Sequence, residues 1–487
     1  MIVCGGAHPG WQDGLVEQIS VHETVSRLWR EEVLPSLSDL VRIPALSQAF
    51  DAQWATNGHL DAAVEHVRGW IAGRNLPGAT LDVVRLDGLS PVLLVDVPAS
   101  PGAEDADTVL LYGHLDKQPP VGGWSEGLGP WTPVIRDGRL YGRGSADDGY
   151  SGYAAVTALE AVHAAGGQHA RAVILLETGE ESGSPDLPRY LEHLEERLGR
   201  VSFVVCLDSG GNDYERLWQT TSLRGLVQVH VTVRVLESAQ HSGLASGIVP
   251  SSFRILRRLL DRIEDAETGQ ITLAEMNVDI PANRRAEVEA AVRSAPGAIA
   301  STFPLVAGMR PVTEDEEELL LNNGWRPTLS VIGAAGLPEP ANAGNVLRDA
   351  TTLALSFRLP PTADSAAALA AVEKALTTDV PYSAQVTLSG VEHADGWNAP
   401  ESAPWLSAAL EKVSDEIFAA PSGSIGLGGS IPFMVQLARK YPEAQFLVTG
   451  ALGPDSNAHV PDEWLHLDHA GRVTEAVAHI LDAHARR

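Results

Sequence analysis

Cysteine is almost missing from this chain. Cys4 and Cys206 are the only two among 487 residues. At most one disulfide can form, and one bridge cannot be the framework of so long a chain. Two cysteines also exclude a four-cysteine zinc site. Basic residues are scarce as well: 35 Lys and Arg stand against 63 Asp and Glu, for a formal charge of −28. So acidic a chain repels the nucleic-acid backbone and anionic membranes, and neither is expected as a partner. Most of this charge is expected to be solvated surface that keeps the protein soluble. No uninterrupted apolar run approaches the roughly 18 residues that suggest a membrane span. The start, MIVCGGAHPGWQDG, lacks a basic segment followed by an apolar one. No secretory signal is read there, and the cytoplasm is the expected location. Internal repeats and low-complexity tracts are also lacking.

What is present is the composition of a soluble globular protein, 44% hydrophobic and 20% charged, long enough for two domains. Helices are expected at about 20–42 and 59–72, and strands near 80–84 and 91–97. Short, nearly continuous apolar runs then alternate with helical segments. Strands are read at Thr108–Gly113, Arg171–Gly179 and Val201–Asp208, with helices at about 150–165 and 186–198 between them. This pattern predicts an α/β domain with a central mixed, largely parallel sheet.

After Trp218 the pattern changes. Gly225–Val235 alternates as a half-buried strand does, a helix follows at about 250–263, and a long acidic excursion precedes strands at 327–332 and 351–357. A helix at about 365–377 and a strand near 384–389 complete a β-α-β-β-α-β order, that of a ferredoxin-like unit. An inserted α+β domain is therefore placed at about 219–392, with the first domain formed by 1–218 and 393–487.

Three parallel-type strands end in polar clusters: His114-Leu115-Asp116, Gly179-Glu180-Glu181-Ser182-Gly183 and Asp208-Ser209-Gly210-Gly211. Ligands of open α/β sheets bind beyond the carboxyl ends of the strands, so these clusters are expected in one crevice. GRGSADDG puts Asp147 and Asp148 at the start of the following helix. Histidine with carboxylates is a donor set for zinc, manganese or cobalt. Several carboxylates in one crevice repel one another unless cations neutralise them. Asp116 is spaced to accept the second ring N–H of His114. Of the adjacent Glu180 and Glu181, one can bind metal while the other faces the substrate as a base. Each cluster alone has a plainer explanation: Asp-Asp before a helix is usually a cap, and Glu-Glu a solvated pair.

Taken in order, YGHLDKQP, DGRLYGRGSADD, ETGEESGS, a strand ending in LDS, HSG, WRPTLSVIG, LSFRLPP, GGSIP and SNAHVPDE resemble the zinc exopeptidase clan of aminoacylase, carboxypeptidase G and carnosinase. The likeness covers almost the whole chain and is closest to carnosinase-type dipeptidases. It implies a metallohydrolase that cleaves dipeptides or related small peptides with two divalent ions, zinc foremost, manganese or cobalt otherwise. It implies His114 and Asp208 in one metal site, Glu181 and His459 in the other, and Asp147 bridging both, with a cis peptide after it. Glu180 matches the general base and acid. His241, from the inserted domain, matches a histidine that reaches the partner subunit's active site in a homodimer. Arg358 matches a substrate-carboxylate arginine, and Gly428-Gly429-Ser430 a segment beside the substrate. Such a family would make the inserted domain a lid and dimerisation unit.

Two departures stand out: Gly149-Tyr150 replaces the usual Lys-Gly, which puts helix-start packing in question, and Leu427 stands where relatives often carry an acidic residue. Aspartate at 208 resembles the dipeptidase branches, whereas an N-acyl amino acid deacylase of the same clan is the main alternative. A serine hydrolase using Ser209 is a remote one, suggested by Asp208-Ser209-Gly210-Gly211.

Overall fold

The computed structural model describes residues 19–104, 106–297, 299, 303–429 and 432–487. The apolar runs form a six-stranded sheet in the order 80–84, 92–97, 172–177, 108–114, 201–206, 445–448. The last four run parallel to one another, while Val92–Val97 and Thr80–Val84 are antiparallel additions at one edge. Every residue of Thr108–His114 is buried. Its alternate side chains enter different cores: Val109 and Leu111 on one face, Leu110 and Tyr112 on the other. That explains why the strand reads as an unbroken apolar run rather than an alternation. Helices Ser151–Ala164 and Leu467–Ala485 cover the first face. Helices Leu187–His193 and Pro432–Lys440 cover the second through Tyr190 and Phe433.

A second, antiparallel sheet has the order 328–335, 350–359, 225–234, 385–394. Gly225–Arg234 alternates buried and more exposed residues along its whole length. Its Val227, Val229, Val231 and Val233 pack with Ile255, Leu256 and Leu259 of helix Ser252–Leu260 and with Ala368 and Val372 of helix Ser365–Thr377. The Asp364 side chain caps the latter helix by accepting the N–H groups of Ala366 and Ala367. One face of this sheet thus carries both helices, as the β-α-β-β-α-β pattern predicts.

The structure adds elements that periodicity does not reveal. Trp218–Leu223 is a fully buried strand between Trp397–Asn398 and Gly423–Leu427. Its sequence, WQTTSL, has no apolar run; Thr220 and Thr221 are buried because Ser209 and Glu287 hydrogen-bond them. The acidic excursion contains helices Ala282–Ser294 and Glu316–Gly324, and these pack against Trp218 and Ile425 rather than the second sheet. The expected helix at 186–198 is interrupted at Leu194, whose backbone leaves helical geometry. No helix among the described residues is long and apolar enough to cross a membrane.

Candidate metal centre

The site stands where the parallel strands end. Gly113 precedes His114, and a Cβ there would lie 2.0 Å from Ser151 Oγ. Only glycine lets helix Ser151–Ala164 begin so close to the strand. Asp147 and Asp148 lead into that helix, and the peptide between them is cis. Glu463 holds their loop from below. Its buried carboxylate accepts N–H bonds from Gly144 (3.0 Å), Ala146 (3.2 Å) and Asp147 (3.3 Å), and a bond from Arg143 Nη1 (2.6 Å). Removing one partner of such a buried pair costs about 3–5 kcal/mol. Tyr150 finds a use of its own: its hydroxyl donates to Leu207 O at 2.6 Å and accepts Ala451 N–H at 2.9 Å. Gly149 is required beside it, since a Cβ would fall 2.3 Å from Gly144 O. The departure at Gly149-Tyr150 is thus absorbed by helix-start packing.

Asp116 organises the next segment. Its carboxylate accepts the N–H groups of Glu180 (3.2 Å) and Glu181 (3.0 Å), pinning the single turn Glu180–Ser182. His114 Nδ1 meets the Asp116 carbonyl at 3.1 Å, with the carboxylate slightly farther at 3.4 Å. The expected histidine partner is therefore present, with the backbone oxygen the nearer acceptor. Either acceptor makes Nδ1 the protonated nitrogen and turns the Nε2 lone pair toward the crevice.

Two triads converge there. His114, Asp147 and Asp208 each bring a donor atom within 4.8 Å of the others, as do Asp147, Glu181 and His459. Asp147 belongs to both: Oδ1 lies 3.4 Å from His114 Nε2, and Oδ2 2.9 Å from His459 Nε2. Glu180 Oε2 lies 4.0 Å from His114 Nε2. His114 Nε2 and Glu181 Oε1 are buried with no hydrogen-bond partner among the described residues. Burial, reinforced by neighbouring carboxylates, pushes Glu180, Glu181 and Asp148 well above the usual carboxylate range and Asp208 up to about 7. Burial opposes ionisation of Asp147 too, but the His114 and His459 imidazoles on either side of it outweigh that and hold its pKa low. Unpartnered donors facing crowded carboxylates fit divalent cations.

The triads open into a cleft of about 600 Å³ that Ile425, Leu427, Gly429 and Leu452 also line. Gly429 lines this cleft; Ser430 lies outside the described residues. His241 and Arg358 are not among the residues lining this cleft. His241 is exposed in the short strand Gln240–His241, and its Nδ1 accepts Gly243 N–H. Arg358 is half-buried in strand Ala350–Leu359, opposite Leu226 and Thr328. Ser209 lines the cleft, but its hydroxyl is bonded to Thr220 at 2.6 Å. Sequence reasoning missed Arg143, Glu463 and Gln118, whose Nε2 donates to Glu181 Oε2 at 2.6 Å. All three sit inside the motifs quoted above.

A profile of the peptidase family M20/M25/M40 matches residues 110–483. The cysteinylglycine-S-conjugate dipeptidase of Corynebacterium striatum is 27% identical over 463 residues, covering 93% of this chain and 95% of that protein. The Beta-Ala-His dipeptidase of Mus musculus is 26% identical over 372 residues, 73% of this chain and 71% of that one. The crystal structure of human carnosine dipeptidase 1 superposes with a TM-score of 0.75 at 21% identity, covering 96% of this chain and 98% of that chain. At that identity the superposition shows a shared fold.

The raised carboxylates predict how metal affects stability. Asp208 titrates near 7 when folded, above its ordinary value, so the metal-free folded state holds more protons than the unfolded one between those values. Stability of the metal-free protein then falls as pH rises through that window. The rise in melting temperature on adding zinc to EDTA-treated protein is expected to be larger at about pH 7.5 than at about pH 5.5. A metal-induced shift that is equal at both pH values, or larger in acid, counts against the assignment.

Proposed function

The chain belongs to the peptidase family M20/M25/M40 and is a metallopeptidase, and from that premise we propose that it is a dipeptidase that works with two divalent ions. The observation that carries this reading is the sharing of Asp147 between His114 and His459, with Asp208 and Glu181 each completing one triad. Zinc suits two histidines among carboxylates, and manganese or cobalt would be held by the same donors. Ions bound there would supply Lewis acidity and a water activated for attack on the amide carbon.

The chain's own groups do the rest. Glu180, half-buried in the cleft wall near His114, takes a proton from the attacking water and passes it to the leaving amine. Asp116 touches neither reactant; it positions Glu180, Glu181 and His114 through the hydrogen bonds described above. Gly429, which lines the cleft, borders the substrate. Dipeptides are the proposed substrates because relatives that align with most of this chain carry dipeptidase names. The cytoplasmic location is kept as part of this proposal.

The inserted unit, about 219–392, is proposed as a lid and homodimer interface. Strand pairing supports a junction at Arg224, where one sheet ends and the other begins. Strand Thr328–Ala335 is an edge strand with Val331 and Ile332 exposed, and Leu244 and Ile248 are exposed next to His241. An apolar edge of this kind invites pairing with a second copy. His241, which does not line its own chain's cleft, would then complete the partner's oxyanion site, and Arg358 would bind the substrate carboxylate.

Three measurements check these assignments. Glu180→Gln is expected to lower kcat for dipeptides by about 10²- to 10⁴-fold while the bound metal, measured by elemental analysis, is unchanged. Undiminished hydrolysis would remove Glu180 from the role of base. A panel of dipeptides, β-alanyl dipeptides and N-acyl amino acids accompanies it; cleavage of only the last would make the enzyme a deacylase. Ile332→Glu is expected to turn a sedimenting dimer into a monomer and to lose activity with it. A wild-type chain that is monomeric and fully active would contradict the shared site.

A further inference from the structure

Arg224 is the one residue between the two sheets. Strand Trp218–Leu223 ends just before it and strand Gly225–Arg234 starts just after it. Its side chain is buried. The Arg224 peptide N–H donates to Gly429 O at 3.0 Å, and its Nε donates to Gly428 O, also at 3.0 Å. Nη1 reaches the other way, donating to Thr328 Oγ1 at 3.2 Å and to Arg326 O at 3.5 Å. Thr328 is the first residue of the outer strand of the four-stranded sheet. One guanidinium therefore bonds Gly428, the neighbour of the cleft-lining Gly429, and the edge of the other sheet at once.

The Gly428–Gly429 segment depends on those bonds. Strand Gly423–Leu427 is parallel to Trp218–Leu223, and its ladder ends with Leu427 opposite Leu223. The bonds from Arg224 to Gly428 and Gly429 continue the pairing beyond the last rung. A Cβ on Gly429 would meet nothing within 4 Å, so packing does not hold that residue from the side. Among the described residues the side-chain acceptors of Arg224 are neutral, namely Gly428 O, Arg326 O and Thr328 Oγ1. Burial and the nearby Arg358 lower the Arg224 pKa to about 10, which leaves it charged at neutral pH. Burying a charge against neutral acceptors is costly, and directional bonds on both sides are what offset it.

We propose that Arg224 is a positioning residue that ties the Gly428–Gly429 segment, whose Gly429 lines the cleft, to the four-stranded sheet, so that substrate affinity follows the placement of that sheet. The triads are held independently, by Glu463 and Asp116, and no bond from Arg224 reaches them. Loss of Arg224 should therefore act on substrate binding and leave metal binding alone. The kinetic part rests on the reading of this cleft as the dipeptide site; the structural part does not.

The test uses the full chain with metal, and variants Arg224→Ala, Arg224→Lys and Thr328→Val. Hydrogen exchange at 423–429 is expected to quicken about tenfold in Arg224→Ala, as loss of a charge-assisted bond implies, with 108–114 unaffected. For the best dipeptide, KM is expected to rise about tenfold while kcat stays within about threefold and metal content is unchanged. Lysine can bond the glycine loop but not both sides, so Arg224→Lys should fall between wild type and Arg224→Ala. Thr328→Val, which removes only the outer anchor, should raise KM about twofold to threefold. Unchanged exchange at 423–429 in Arg224→Ala, or a loss confined to kcat, overturns the proposal. Should Arg224→Ala not fold, unchanged exchange and KM in both other variants overturn it equally. Failure of the wild type to cleave any dipeptide would sink the functional reading, and the exchange measurement would still decide the role of Arg224.

Discussion

Asp147 lies between two imidazoles, 3.4 Å from His114 Nε2 and 2.9 Å from His459 Nε2, with Asp208, Glu180 and Glu181 crowded around it. That crowding is the constraint on which the rest of the structure depends. Buried carboxylates repel and lose their hydration, so each must be held by something else. The fold divides them. Glu463 and Asp116 are satisfied by backbone N–H groups and, for Glu463, by Arg143. They fix the loops without facing the cleft. Glu181 and Asp208 are left facing inward with raised pKa, and cations supply what the protein withholds.

The architecture follows from where those loops must be. A sheet buried on both faces places His114, Glu180 and Asp208 at adjacent strand ends, and helix Ser151–Ala164 brings Asp147 across them. Another part of the cleft lining comes from a different strand. Gly423–Leu427 belongs to a small separate sheet that shares Arg224 with the four-stranded unit. Metal assembly and substrate containment thus stand on different supports.

Much of this was legible in the sequence where burial is simple. The helices at 59–72 and 365–377 and the strand at 80–84 have the expected bounds, since each shows one clear period or run. Four of the five triad residues were readable as polar clusters at strand or helix ends. His459 was not; it lies far along the chain in a loop without periodicity, and only the likeness of SNAHVPDE to a known family pointed to it. Trp218–Leu223 escaped notice because its buried residues are polar and satisfied by partners distant in sequence. Arg143 and Glu463 escaped for the same reason: a buried ion pair between residues 320 apart leaves no local pattern. Such pairs show themselves only once the fold brings the motifs together.

The shared carboxylate makes the account most exposed to a count of bound metal. Divalent ions per chain, measured by elemental analysis after dialysis, should number about two in the wild type. His459→Ala should lose about one of them, and Asp147→Ala should lose both, because each triad needs the same aspartate. Retention of both ions by a folded Asp147→Ala chain, or a wild type that binds none, would contradict it.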